Sequence, residues 1–244
     1  MPYFDLLDLL PSLNSTGHAA SWAAGYPSLL TDCPDYTANV NNLNLNPSLD
    51  ETYTVLQGIL ADLEAATGTS YLHLGGDEVV YNCWAEDSSI TDFMTAQGIE
   101  SYDDLFEYFI QKAQGLLKSM EVTPIHWEEV FLAGVEVASN TIFQVWQSQE
   151  LVTTIAKAKY QVIAAPADPW YLDTWADDRP VPNRWQDMYS YDPAVNLTSD
   201  DIEYLLGSHF FYLIFMRVVA IEVHDIFNIH IVYLFCACIS RGLG

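Results

Sequence analysis

The sequence predicts an α/β fold made of parallel βαβ units, of the kind that builds a (β/α)8 barrel. Three observations carry that prediction. Short apolar runs alternate with helical stretches through the middle of the chain, which is the pattern of strands joined by helical crossovers. The residues best suited to chemistry stand at or just after the carboxyl ends of those runs, the face on which such barrels place their sites. The chain has 244 residues, 50% of them hydrophobic, enough to fill one large core.

The elements follow in order. Residues 1–16 carry no basic segment ahead of an apolar stretch and do not read as a signal peptide. Residues 17–50 are rich in Gly, Pro, Asn, Ser and Asp and predict a long loop. Asn46-Pro47-Ser48 then opens a helix: Ser48 is placed to cap its first turn, and Leu49, Tyr53, Leu56, Leu60 and Leu63 recur at helical spacing. After Gly68 the run Tyr71-Leu72-His73-Leu74 predicts a short strand ending in Gly75-Gly76-Asp77-Glu78. Helices are predicted over 88–97 and 102–120, near 129–138 and over 149–158. Strands are predicted at Val122–Trp127, Thr141–Trp146 and Tyr160–Ala165.

Charge excludes whole classes of partner. Eight Lys and Arg against 33 Asp and Glu leave a net charge of −25, and the first basic residue is Lys112. There is no basic surface to neutralise phosphates, so nucleic acid and anionic membrane surfaces are excluded as partners. Seven Trp, 15 Tyr and 11 Phe suggest instead surfaces that stack on sugar rings. Residues 208–244 differ from the rest: they hold two basic and two acidic residues among Phe, Ile, Leu, Val and Tyr, and are read as a tail foreign to the domain. A membrane anchor there is disfavoured, because Arg217, Glu222, His224, Asp225, Asn228 and His230 interrupt every window of spanning length.

Asp77 and Glu78 are the sharpest chemical feature. Adjacent carboxylates in a confined pocket repel one another, and desolvation favours keeping one proton, which makes one acid a proton donor. Most acid pairs are surface features, but here aromatics end the following strands: Trp127, Trp146, and then Trp170-Tyr171. Together they could line an apolar box, although any one Trp more often fills a core. His73, His126, Glu128 and Glu129 make a metal site conceivable, but the sequence has no HExxH or CxxC spacing, so no metal is expected. No Gly-rich phosphate loop and no nucleophile elbow occur, and no cofactor is implied. Cys33 and Cys83 could form one bridge in an oxidising compartment. Sequons at Asn14 and Asn196 permit glycosylation there.

The block His73-Leu74-Gly75-Gly76-Asp77-Glu78-Val79, followed by Cys83-Trp84, resembles the signature of family 20 glycoside hydrolases, the β-N-acetylhexosaminidases. Gly17-His18, Trp127-Glu128-Glu129-Val130-Phe131, Gln144-Val145-Trp146 and Trp170-Tyr171-Leu172-Asp173 fall in the family's order, and the resemblance runs from about Gly17 to Gly207. It implies removal of terminal non-reducing N-acetylglucosamine or N-acetylgalactosamine from glycans or chitooligosaccharides. The substrate's own acetamido oxygen serves as nucleophile, an exception to the two-carboxylate scheme. On this resemblance Glu78 is the general acid and base, Asp77 orients the acetamido N–H, and His18 supports Glu78. Trp127 and Trp146 wall the methyl group, Tyr171 donates to the acetamido carbonyl, and Asp173 binds a sugar hydroxyl. The resemblance also pairs Cys33 with Cys83, and implies a lysosomal, vacuolar or secreted setting and a homodimer where the full-length domain is present.

The expected architecture is therefore a partial (β/α)8 TIM barrel, about strands 3–7, spanning 17–207 between a non-matching segment 1–16 and the hydrophobic tail 208–244. Relative to the family pattern, the first two strands with a substrate-binding arginine are missing, Leu13-Asn14-Ser15-Thr16 replaces the acidic approach to Gly-His, and the tail replaces the last strand. Weak or absent activity is the expectation for such a chain. The alternative reading is a non-catalytic sugar-binding remnant that keeps the aromatic pocket.

Overall fold

The computed structural model describes residues 12–171 and 185–208. The chain divides into two compact units, one holding the described residues 12–141 and the other those from 142 onward. Both alternate strands with helices, as the sequence predicts.

In the first unit, α1 (Asp50–Thr67) leads to β1 (Tyr71–His73), followed by α2 (Tyr81–Glu86), α3 (Ser88–Gln97), α4 (Tyr102–Ser119), β2 (Thr123–Trp127) and one helical turn, α5 (Glu129–Leu132). β1 and β2 pair in parallel, with Leu72 opposite Pro124 and His73 opposite Ile125. The other edge of β1 is also occupied. Ser12 bridges His73 in parallel, and the Leu13 N–H donates to the His73 carbonyl at 2.8 Å. Residues 12–15 thus lie beside β1 and deliver Gly17-His18 to its carboxyl end.

Helix α4 shows why these segments fold as they do. Ser101 and Asp104 cap it reciprocally, each side chain accepting from the other residue's backbone N–H. Leu105, Phe109, Ala113 and Leu117 repeat at four-residue spacing and are buried. Ala113 and Leu117 meet Leu56 and Leu60 of α1 and Leu72 of β1 in one apolar cluster, while Phe109 joins a second with Ala19, Leu29 and Leu45. Burying each such side chain contributes roughly 1.5–3 kcal/mol.

The long loop before α1 is ordered in a series of single 3-10 turns, Ala20–Ala24, Pro27–Leu29 and Pro34–Tyr36 among them. Two tethers hold it. Cys33 and Cys83 are joined in a disulfide with Cα atoms 5.0 Å apart, as expected. Asp87, 7% exposed, accepts from the Asp32 N–H at 3.0 Å, from Asn46 Nδ2 at 3.2 Å and from the Ser89 N–H at 2.9 Å. One carboxylate therefore caps α3 and ties down the middle and the far end of the loop.

Three local expectations are corrected. Ser48 does not cap α1, whose N-cap position falls on Leu49: its N–H and its hydroxyl both donate to Asn46 Oδ1, at 2.9 and 2.6 Å, closing an Asx turn ahead of the helix. The helix expected near 129–138 ends at Leu132, because Gly134 turns back and the Val135 N–H donates to the Val130 carbonyl. The sequence reading also passed over the short helix α2, whose six residues carry too few turns to show a periodicity.

The second unit comprises β3 (Ile142–Val145), α6 (Gln149–Lys157), β4 (Gln161–Ala164), α7 (Ala167–Trp170), α8 (Trp185–Ser190) and β5 (Leu205–Ser208). β3, β4 and β5 run parallel in that order. α6 is capped by the Ser148 hydroxyl and buries Val152, Ile155 and Ala156. Trp170 donates through Nε1 to the Met188 carbonyl at 3.1 Å and meets the Tyr191 ring edge-on. β5 was not expected, since Leu205-Leu206-Gly207-Ser208 is too short to show alternation. Among the described residues no helix is long and apolar enough to cross a membrane. Ser208, the first residue of the tail expected at 208–244, ends β5, and 209–244 lie outside the described residues.

Removing the disulfide in a Cys33→Ser/Cys83→Ser double variant is expected to lower stability by about 2–4 kcal/mol in urea titration, because it frees a loop with a sequence separation of 50. A loss below about 0.5 kcal/mol would show that the polar tethers hold the loop without it.

Candidate active site

The carboxyl end of β1 builds the site. After Leu74, whose N–H still bonds the Ile125 carbonyl of β2, the chain leaves the strand at Gly75. Gly76 has φ +106°, and a Cβ on it would lie 2.6 Å from Val130 Cγ2, so only glycine fits. The turn then delivers Asp77 and Glu78 in succession, with Glu78 itself in the left-handed region at φ +46°. Alongside, the chain at Gly17 comes so close that a Cβ would lie 2.6 Å from the Asp77 carbonyl oxygen. That approach places His18 over the acids.

His18 Nε2 lies 3.2 Å from Glu78 Oε2 and 3.4 Å from Asp77 Oδ2. The hydrogen bond to Asp77, with the negative charges of Asp77 and Glu78, holds the His18 pKa above its ordinary value against the opposing effect of partial burial. The two acids differ in surroundings. The Asp77 side chain is 17% exposed, and its Oδ1 is buried without a hydrogen-bond partner. The Glu78 side chain is 57% exposed, so the confinement expected of the pair covers Asp77 and not Glu78. A carboxylate oxygen enclosed without a donor is costly, and a ligand N–H reaching it would remove the cost. An acid open to solvent, by contrast, can exchange protons readily.

Trp127, buried at the end of β2, packs edge-on against His73, with ring centroids 4.8 Å apart. In the second unit Trp146 follows β3 and stacks on Tyr171, with centroids 6.4 Å apart and planes 23° from parallel. The structure thus brings Asp77, Glu78 and His18 together in the first unit, and Trp146 and Tyr171 together in the second. Asp173 lies outside the described residues. The sequence reading weighed His73 and His126 only as conceivable metal ligands, yet both reach the backbone of Gly75. Their signal was position: His73 is the last residue of β1 and His126 stands one residue before the end of β2.

Residues 6–209 match the family model described as glycosyl hydrolase family 20, catalytic domain. Beta-hexosaminidase subunit A1 of Dictyostelium discoideum is 36% identical over 203 residues, which cover 82% of this chain and 37% of the relative. Beta-hexosaminidase subunit beta of Entamoeba histolytica is 32% identical over 81% of this chain and 38% of its own length. The chain therefore spans little more than a third of these relatives. In fold it is similar to a GH20 exo-β-N-acetylglucosaminidase from Vibrio harveyi, solved in complex with N-acetylglucosamine, at 24% identity and a TM-score of 0.71 over 82% of this chain and 33% of that one. The parallel strands and their helices are part of a (β/α)8 barrel, and the chain belongs to glycosyl hydrolase family 20.

Proposed function

We propose that the chain carries the acid pair of a β-N-acetylhexosaminidase, hydrolysing terminal non-reducing N-acetyl-D-hexosamine residues of N-acetyl-β-D-hexosaminides with retention. The observation that carries the reading is Asp77: one oxygen is engaged by His18, and the other is buried with no donor of its own. A substrate acetamido N–H is the donor that fits such an oxygen.

In the first step the acetamido carbonyl oxygen bonds to the anomeric carbon while the glycosidic bond breaks, and Glu78 gives its proton to the departing oxygen. The product is an oxazolinium ion whose positive charge is shared with the ring nitrogen. Asp77 faces that N–H as a carboxylate, and in an enclosed site its stabilisation of the growing charge is far larger than in water. In the second step Glu78, now the base, takes a proton from water as the water oxygen bonds to the anomeric carbon and the oxazolinium ring opens. Two inversions give net retention. His18 holds both carboxylates in place. The roles assigned by resemblance to Trp127, Trp146, Tyr171 and Asp173 in receiving the N-acetyl group and a hydroxyl are part of the same proposal. N-Acetylglucosamine- or N-acetylgalactosamine-terminated glycans and chitooligosaccharides are the proposed substrates. The Cys33–Cys83 bridge supports a lysosomal, vacuolar or secreted setting.

The half-exposed Glu78 favours a second reading, a sugar-binding protein without turnover. A chromogenic N-acetyl-β-D-glucosaminide separates the two. Under the hydrolase reading, Glu78→Gln lowers kcat about 100-fold or more and Asp77→Asn about 10²–10³-fold. Sugar binding that Asp77→Asn weakens, with no hydrolysis by the parent chain, would replace the hydrolase with the binding protein.

His18 gives a prediction of its own. Because its pKa is raised, the stability it contributes is fully present below the unfolded value of 6.5 and is lost as pH rises through the folded one. The stability difference between the parent and His18→Gln should therefore be largest between about pH 5 and 6.5 and shrink at alkaline pH. Urea titrations across that range measure it, and a difference that grows with pH would contradict the assigned ion pairs.

A further inference from the structure

Gly75 is gripped from both sides by histidines. Its N–H donates to Nδ1 of His73 at 3.0 Å. Its carbonyl lies 3.3 Å from Nδ1 of His126 and also accepts the Trp127 N–H at 3.1 Å. A backbone N–H can only donate and a carbonyl can only accept, so the two rings must be opposite neutral tautomers. His73 keeps Nδ1 bare, and His126 carries its proton there.

The environment of His126 fits that role. It is fully buried, and burial pulls its pKa down to about 4, so the ring is neutral. Its Nε2 is buried with no hydrogen-bond partner. A phenylalanine or leucine would fill the same core without leaving a polar atom stranded, so packing does not account for an imidazole here. The contact with Gly75 does. His126 Nδ1 also lies 3.6 Å from where a Cβ on Gly76 would stand, so the ring backs both glycines of the turn. Asp77 and Glu78 follow with no residue between.

We propose that His73 and His126 are positioning residues that clamp Gly75 through opposed tautomers and thereby fix the turn that brings Asp77 and Glu78 to His18. The inference rests on reading Asp77 and Glu78 as the reactive pair. Its test needs no substrate, so failure of hydrolysis and failure of the clamp are distinguishable.

Long-range ¹H–¹⁵N correlation on the ¹⁵N-labelled full chain at neutral pH reads the tautomers directly, with each ring identified by the signal lost on its substitution. The expected result is His126 protonated on Nδ1 and His73 on Nε2; the reverse assignment at either ring overturns the clamp. The second measurement is the titration of His18, whose charged neighbours among the described residues are Asp77 and Glu78. In His126→Phe the His18 pKa should fall toward its ordinary value, because the acids are no longer held against it. His126→Asn, whose amide nitrogen reaches the Nδ1 position, should restore it, and His126→Gln, which reaches the Nε2 position, should not. An unchanged His18 titration in His126→Phe, with only a lower melting temperature, would reduce His126 to a core residue. If that variant does not fold, the contrast between Asn and Gln decides alone: equal values overturn the proposal.

Discussion

The backbone at Gly17 runs so near the carbonyl of Asp77 that no side chain could be inserted between them, and the geometry of the acid pair depends on that approach. A methyl group at Gly17 would meet backbone, which cannot swing aside as a flexible side chain can. With glycine there, His18 reaches two carboxylates at once, and its imidazole answers a pair of like charges that would otherwise repel. The approach exists because residues 12–15 run alongside β1, with the Ser15 hydroxyl bonded to the Leu74 carbonyl at 2.7 Å. The site is thus set by strand pairing upstream of it.

Polar tethers carry the ordering of the long loop after His18. This loop has few regular hydrogen bonds, so each buried polar group finds an individual partner. Asn44 donates through Nδ2 to the Val80 carbonyl at 2.8 Å, the Trp84 indole donates to the Leu45 carbonyl at 3.1 Å, and Asp87 binds three separate segments. With the disulfide, these contacts fasten the loop to the segment that follows Glu78. An acidic chain has few cations to pair with such carboxylates, and backbone N–H groups take their place.

Asp77 and Glu78 show how neighbouring residues of the same chemistry acquire different surroundings. The turn at Gly75-Gly76 leaves one oxygen of Asp77 enclosed and unpartnered while Glu78 opens to solvent. In the proposed reaction the carboxylate that receives a positive charge gains from enclosure, since low polarity strengthens its field. The acid that passes a proton to a departing oxygen and takes one from water gains from access. The unequal exposure of adjacent residues on one turn supplies both conditions.

Much of this was legible in the chain itself. The helix expected over 102–120 is present as Tyr102–Ser119, with Leu105, Phe109, Ala113 and Leu117 buried along one face. Gly75-Gly76-Asp77-Glu78 after an apolar run reads as a site because glycines ending a strand serve close approach. Some short elements were not legible: α2 and β5 span too few residues for periodicity to register, and α5 was expected to run further than it does. Nor was the fate of Ser48, whose hydroxyl donates to Asn46 Oδ1 and caps no helix N–H. The sequence determined which residues could do chemistry and in what order along the strands, because residue type and spacing are local properties. Only the tertiary structure decided that Gly17 would lie against Asp77, that His126 would meet Gly75 across 51 residues, and that the two acids would face different media, because those outcomes depend on which backbones come within a few ångströms of one another.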